Sequence, residues 1–159
     1  MELREYAFQL GSLMANFQSL EFALRAFLQQ LPSARPLGIK WGQDLYSFPV
    51  GCELAESEIT SYDSLGQLID KFNLEALRRN QPQIDRTLVD VRDALAHGRV
   101  SADITSDALR LLRFEKPKNG RVRVMFNHEL SAQWFSSQKQ RVCGALLQFA
   151  PKPDAKVHI

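Results

Sequence analysis

The sequence predicts a mainly α-helical fold, a helical bundle with one β-hairpin inserted before the last helix. Two observations support this prediction: apolar residues recur at helical spacing over long stretches, and one later stretch alternates around a turn motif. At 159 residues, with 45% hydrophobic and 24% charged side chains, the chain has the composition of an ordinary globular protein. We expect one domain over residues 1–150 and a loose C-terminal tail over residues 151–159.

The first half of the chain contains two predicted helices. In residues 2–31 an apolar residue recurs every seven positions and Pro32 ends the pattern, which is typical of one long amphipathic helix. Residues 32–61 are rich in proline and glycine, so we expect a long connection containing a short helix. A second helix should begin near Tyr62 or Asp63, with Asp63 as its N-terminal cap.

The second half combines two helices with the hairpin. A third helix is predicted from about Gln83 to His97, with Gly98 as the residue that ends it. Residues 118–120, Lys-Asn-Gly, have the turn chemistry of a β-hairpin, and the residues after them alternate between basic and apolar. The last helix is predicted over about 131–149, with His128 near its N-terminal cap.

Several classes of protein are disfavoured. The chain has no run of about 18 apolar residues, and its first residues lack the basic flank and apolar core of a signal peptide. Cys52 and Cys143 are too far apart to indicate a disulfide framework or a metal site. We therefore expect a cytoplasmic protein that does not insert into a membrane and needs no cofactor or metal.

Charge is unevenly distributed along the chain. Residues 1–77 carry 5 basic and 10 acidic side chains, whereas residues 78–123 carry 11 basic and 6 acidic ones. Clustered basic residues are typical of a protein that binds a polyanion such as RNA. A solvated basic face is the alternative.

Residues 91–100, VRDALAHGRV, contain the candidate catalytic residues Arg92, Asp93 and His97. Histidine transfers protons near neutral pH, and a position in the last helical turn favours its protonated form. Arg92 can bind a phosphate with two hydrogen bonds, and Asp93 can orient its neighbours. Because Arg92 and His97 are five residues apart, they do not lie one above the other on the helix. A solvated helix end is the alternative interpretation.

Two further features involve charged residues. Glu21 interrupts the apolar stripe of the first helix, and either Arg92 or Arg25 could pair with it. It is a candidate supporting residue, or one half of a structural ion pair. The candidate RNA-binding residues form a basic set around the hairpin and after the third helix: Arg99, Lys118, Arg121 and Arg123. Basic side chains on a strand also discourage edge-to-edge aggregation, which is the alternative.

The segment RDALAH resembles the Arg-x4–6-His motif of the HEPN superfamily, a group of helical domains that often act as metal-independent ribonucleases. The polar residue after Arg92, the acidic residue in the first long helix and the position of the motif near a helix end are also similar to that family. The resemblance extends over about residues 1–149 and identifies residues 1–150 as an HEPN-like domain.

The resemblance implies a homodimer in which two Arg92–His97 motifs face each other across the two-fold axis. It implies that His97 transfers protons while an RNA 2′-hydroxyl attacks the adjacent phosphate, that Arg92 holds this phosphate, and that Asp93 assists. Such cleavage leaves a cyclic phosphate. The protein would then be a toxin or defence effector, with a cognate antitoxin as a further partner. The alternatives are a non-catalytic HEPN module that binds RNA, nucleotide or protein, and a scaffold without a ligand.

Overall fold

A computed structural model describes residues 2–39, 43–102 and 108–150. These described residues form two compact units, one within residues 1–20 and 85–159 and the other within residues 21–84. Within the described ranges the helices are α1 (Leu3–Gln29), α2 (Leu65–Arg78), α3 (Leu88–His97) and α4 (Ala132–Leu146), and the strands are β1 (Arg99–Ala102), β2 (Leu109–Phe114) and β3 (Val124–Glu129). The prediction of a mainly α-helical chain is therefore confirmed. The predicted tail, residues 151–159, lies outside the described residues.

Helix α1 confirms the long amphipathic helix of the N-terminal sequence. Its buried residues are spaced three or four apart: Leu13, Phe17, Leu20, Leu24 and Leu28. Leu3, the first member of the seven-residue pattern, is 76% exposed, so the apolar stripe becomes buried only after the first turns.

Residues 21–84 form the unit that contains α2. This helix begins at Leu65, two or three residues after the predicted start. Ser64 and not Asp63 is its N-cap: the Ser64 hydroxyl accepts from the Gln67 amide, and the Gln67 side chain accepts from the Ser64 amide. Asp63 instead forms an ion pair with Lys71 at 2.7 Å, and this lowers the pKa of Asp63. The expected short helix in residues 32–61 is a single 3₁₀ turn, Leu45–Ser47.

Helix α3 begins at Leu88, five residues after the predicted start. The Asp85 carboxylate accepts hydrogen bonds from both the backbone amide and the hydroxyl of Thr87, at 2.9 and 2.8 Å. In this turn the Asp85 side chain, and not a helical carbonyl, accepts from the Thr87 amide, which competes with a helix that starts earlier. Leu88, Val91 and Ala94 are the buried residues of the helix.

A three-stranded antiparallel sheet, in the order β1-β2-β3, replaces the predicted two-stranded hairpin. The predicted turn is confirmed, because Asn119 and Gly120 have φ angles of 53° and 72° and lie between the paired residues Lys118 and Arg121. The assignment of His128 to the last helix is wrong: His128 lies in β3 opposite Leu111, and Ser131 caps α4.

In the unit that contains the sheet, the core lies between the sheet and the helices that pack against it. Leu111 of β2, Leu130 after β3, and Phe135 and Val142 of α4 are at most 2% exposed. The ring of Tyr6 in α1 meets that of Phe135 edge to face at 6.2 Å between centroids. The packed face of the sheet therefore carries Leu111, whereas residues of β2 on either side of it in sequence point the other way.

No helix in the described part of the chain has the length and apolarity needed to cross a membrane.

Candidate functional site

The candidate catalytic segment is the junction between α3 and β1. Gly98 follows His97 and joins the helix directly to the first strand. The prediction that Gly98 ends the helix is confirmed, and its φ of −77° and ψ of 175° are extended. A Cβ atom at this position would lie 2.3 Å from the Ala94 oxygen and 2.6 Å from Leu111 Cδ1. Glycine is therefore required for space, since strand β2 approaches the helix end closely.

Arg92 and Asp93 form an ion pair on α3. Arg92 Nη1 lies 3.2 Å from Asp93 Oδ1, and both side chains are about 30% exposed. The other carboxylate oxygen of Asp93 lies 3.8 Å from Arg113 Nη1, which is also 3.7 Å from Asp90 Oδ1. Asp93 is thus held between two guanidinium groups, one from its own helix and one from β2. This arrangement fixes both cations near each other.

His97 is exposed in the last turn of α3. It lines a cleft of about 350 Å³, which we call the histidine cleft, together with Arg99, Phe114, Glu115, Lys116, Pro117 and Val122. Neither Arg92 nor Asp93 is among the described residues that line it. The structure therefore brings His97 together with the predicted RNA-binding residue Arg99, but it does not place the whole motif in one cleft of a single chain.

Arg99 is oriented by an aromatic ring in the histidine cleft. Its guanidinium carbon lies 5.4 Å from the centroid of the Phe114 ring, within the range of a cation–π contact. Arg99 pairs with Leu112 across the sheet, so Arg99 and Phe114 lie on the same face of neighbouring strands. The contact holds a positive charge beside His97 while leaving its N–H donors available to an anion.

The remaining predicted RNA-binding residues lie together at the hairpin. Lys118, Arg121 and Arg123 line a cleft of about 660 Å³, which we call the hairpin cleft, with Glu115, Lys116, Asn119 and Val122. Three residues, Glu115, Lys116 and Val122, line both this cleft and the histidine cleft. The two clefts therefore adjoin, and five cationic side chains follow one another from His97 to the hairpin turn: Arg99, Lys116, Lys118, Arg121 and Arg123.

Glu21, the candidate supporting residue, belongs to the other compact unit, where it lies half-buried on α1. Its local candidate partner, Arg25, donates hydrogen bonds to the carbonyl oxygens of Ser61 at 2.8 Å and Asp63 at 2.7 Å. Arg25 thereby fastens the segment that leads into α2.

Comparison with protein-family models, with curated proteins and with solved structures found no match to this chain. The chemistry proposed for the site is therefore argued from the residues of this chain. Among the described residues, no group of three or more histidine, cysteine, aspartate or glutamate side chains could hold a metal ion.

The ion-pairing role of Arg113 and the contribution of Phe114 were not predicted from the sequence. Both follow from the register of β2, in which Leu109, Leu111 and Arg113 share one face and Leu112 and Phe114 share the other. The apolar-rich run LRLLRF ahead of the turn motif was a usable signal for a strand. Which helix that strand would contact could not be derived from it.

Proposed function

We propose that this chain is an HEPN-type endoribonuclease that cleaves RNA by attack of a 2′-hydroxyl on the neighbouring phosphate, without a metal ion. The observation that carries the proposal is the placement of exposed His97 in a cleft that continues into a row of cationic side chains. A proton-transfer group beside phosphate-binding cations is what this reaction needs. The resemblance of residues 92–97 to the HEPN motif supports the same reaction.

The proposed reaction requires two proton transfers. The O2′–P bond forms and the P–O5′ bond breaks, a proton leaves the 2′-hydroxyl, and a proton reaches the 5′ oxygen. The products are a 2′,3′-cyclic phosphate and a 5′-hydroxyl. In a homodimer with the two motifs facing each other, one neutral and one protonated His97 suffice for both transfers, and Arg92 and Arg99 stabilise the charge on the phosphate.

The surface around the motif is compatible with such a dimer. Ala96, His97, Arg99 and Val100 are all exposed, so the junction of α3 and β1 is open to a second copy. A two-fold contact at this junction would place the same residues of both chains opposite each other. Such a contact would also bring Arg92 of one chain close to the histidine cleft of the other. Within a single chain, Arg92 does not line that cleft.

The test is cleavage of a structured RNA in excess EDTA by the wild-type chain and by His97→Ala, with analysis of the product ends. We expect the variant to lose at least about 100-fold in cleavage rate, because positioned proton transfer contributes about 10²- to 10⁴-fold. His158→Ala, a histidine outside the motif, is the matched control and should cleave like wild type. Equal cleavage by His97→Ala, or products with a 5′-phosphate, would refute the proposal.

The second candidate function, RNA binding without cleavage, is favoured by the hairpin cleft, whose cations do not depend on His97. In that case wild type and His97→Ala would bind the same RNA with equal, salt-sensitive affinity and neither would cleave it.

A further inference from the structure

A third cleft, of about 250 Å³, lies in the same compact unit as the candidate site. We call it the aromatic cleft; it is lined by Thr87, Asp90, Val91, Met125, Phe126, His128, Trp134, Gln138 and Arg141. It shares none of its lining residues with the histidine cleft or the hairpin cleft. Nothing in the mechanism proposed above uses its side chains, except that Asp90 also contacts Arg113.

Three rings form one wall of the aromatic cleft. Phe126 and His128 are two residues apart on β3, which places both on one face of the sheet, and their ring centroids are 4.6 Å apart. Trp134 of α4 lies 6.4 Å from each of these rings. His128 is exposed and Trp134 half-buried. In the described part of the chain, neither the indole N–H nor the imidazole has a hydrogen-bond partner, so these rings are not committed to the protein's own polar groups.

Gln138 supplies a polar group at the base of the cleft. The residue is 8% exposed, and its Oε1 accepts a hydrogen bond from Arg141 Nη1 at 2.6 Å. Its amide nitrogen has no partner among the described residues. Because the described structure contains no fully buried side-chain nitrogen or oxygen without a partner, this nitrogen is accessible to solvent, and Gln138 lines the aromatic cleft. An amide whose oxygen is already bound and whose nitrogen is accessible can donate a hydrogen bond to an acceptor on a ligand.

Arg141 is fixed by its other contacts. Its Nη2 lies 2.6 Å from Asp85 Oδ2 and also donates to the Thr87 hydroxyl. This network orients the Gln138 amide, because the oxygen of that amide is already bound to Arg141 and the nitrogen must point away from it. The Asp90 carboxylate, which is 62% exposed, adds an acceptor at the rim.

We propose that the aromatic cleft binds one nucleobase of a single-stranded RNA segment, an inference that rests on the proposed function. The base stacks on His128 and Trp134, and its polar edge accepts a hydrogen bond from the Gln138 amide nitrogen. Stacking tolerates any base. The amide nitrogen of Gln138 and the carboxylate of Asp90 favour a base that has an exocyclic amino group next to a ring acceptor, as adenine does. The cleft thus acts as a substrate-binding subsite.

The test uses a parent protein with His97→Ala, which prevents cleavage, and Trp41→Phe, which leaves Trp134 as the single tryptophan of the two in the sequence. An octamer of oligoadenylate RNA is titrated while Trp134 fluorescence is followed, and adenosine monophosphate is titrated separately. We expect both to quench the fluorescence, with the octamer binding more tightly because its phosphates reach the basic clefts.

Two variants and one control assign the quenching to the cleft. His128→Ser should weaken octamer binding at least about fivefold, since stacking on one aromatic side chain contributes about a factor of five or more. Gln138→Met, which keeps the side-chain length, should weaken it similarly. Glu129→Ala, an exposed residue on the opposite face of β3, should bind like the parent. His128 is exposed, so its variant is expected to fold even if the Gln138 variant does not.

The outcomes separate this inference from the proposed function. If wild type cleaves RNA in EDTA but the parent binds the octamer without quenching, or His128→Ser binds like the parent, the base-binding site is refuted and the ribonuclease stands. Quenching by adenosine monophosphate without octamer binding would overturn the assignment to RNA. If wild type neither cleaves nor binds RNA, the proposed function fails and this inference fails with it.

Discussion

Gly98→Ala tests the close approach of β2 to the end of α3. The φ and ψ angles of Gly98 are accessible to alanine, so the substitution adds no backbone strain. Because alanine lowers the conformational entropy of the unfolded chain, this effect by itself should stabilise the fold by about 0.4–1 kcal/mol. The added methyl group would, however, lie 2.3 Å from the Ala94 oxygen, 2.6 Å from Leu111 Cδ1 and 3.0 Å from the Leu112 oxygen.

Two of these three atoms belong to the backbone, and Leu111 is only 1% exposed, so the clash cannot be relieved by turning one side chain into solvent. Overpacking of a filled core costs about 1–3 kcal/mol. We expect a net loss of about 1–2 kcal/mol in the free energy of unfolding, which for a chain of this size lowers the Tm by roughly 2–8 °C.

The measurement is thermal and urea unfolding followed by circular dichroism. Gly144→Ala is the matched control, because Gly144 lies in α4 in the same unit and a Cβ there would meet nothing within 4 Å. That variant should gain up to about 1 kcal/mol from helix propensity. A Gly98→Ala variant as stable as wild type, or equal stabilisation of both alanine variants, would contradict a filled contact between β2 and the end of α3.

Two further predictions concern charges. Arg141 and Thr87 hold the pKa of Asp85 below its ordinary value of 3.8, so the ion pair stabilises the fold above that value and ceases to do so as the pH falls through the folded-state pKa. Asp85→Asn should therefore lower the stability by less than about 1 kcal/mol at pH 7, because the pair is partly exposed, and the difference from wild type in urea unfolding should vanish once the pH is below the folded-state pKa of Asp85. If Arg121 and Arg123 contact phosphates, replacing both by alanine should reduce the slope of log affinity against log salt by up to about 1.4 for single-stranded RNA. An unchanged slope in fluorescence anisotropy, or an equal change on replacing the exposed Arg78 and Arg79 at the end of α2, would contradict that role.

The sequence alone determined the features that depend on neighbours along the chain. The buried stripe of α1 follows from apolar residues at helical spacing, and the hairpin turn follows from Asn119-Gly120, whose residues tolerate positive φ angles. The end of α3 at His97 also follows from local signals, although glycine follows it for reasons of space. The basic character of the hairpin could likewise be read from composition, because neighbouring residues remain neighbours in a turn.

The tertiary structure decided the features whose partners are distant in sequence. Strand β1 is four exposed residues with no alternating pattern, and it exists as a strand because β2 pairs with it. His128 looked like part of a helix start, yet pairing with Leu111 places it in β3 and beside Trp134. The same is true of the site: spacing within RDALAH identified His97, but only the packing of β2 against α3 brings it into a cleft beside Arg99 and Phe114. The periodicity of apolar residues predicts which residues are buried. It does not predict which helix or strand packs against them, because that depends on contacts between residues distant in sequence.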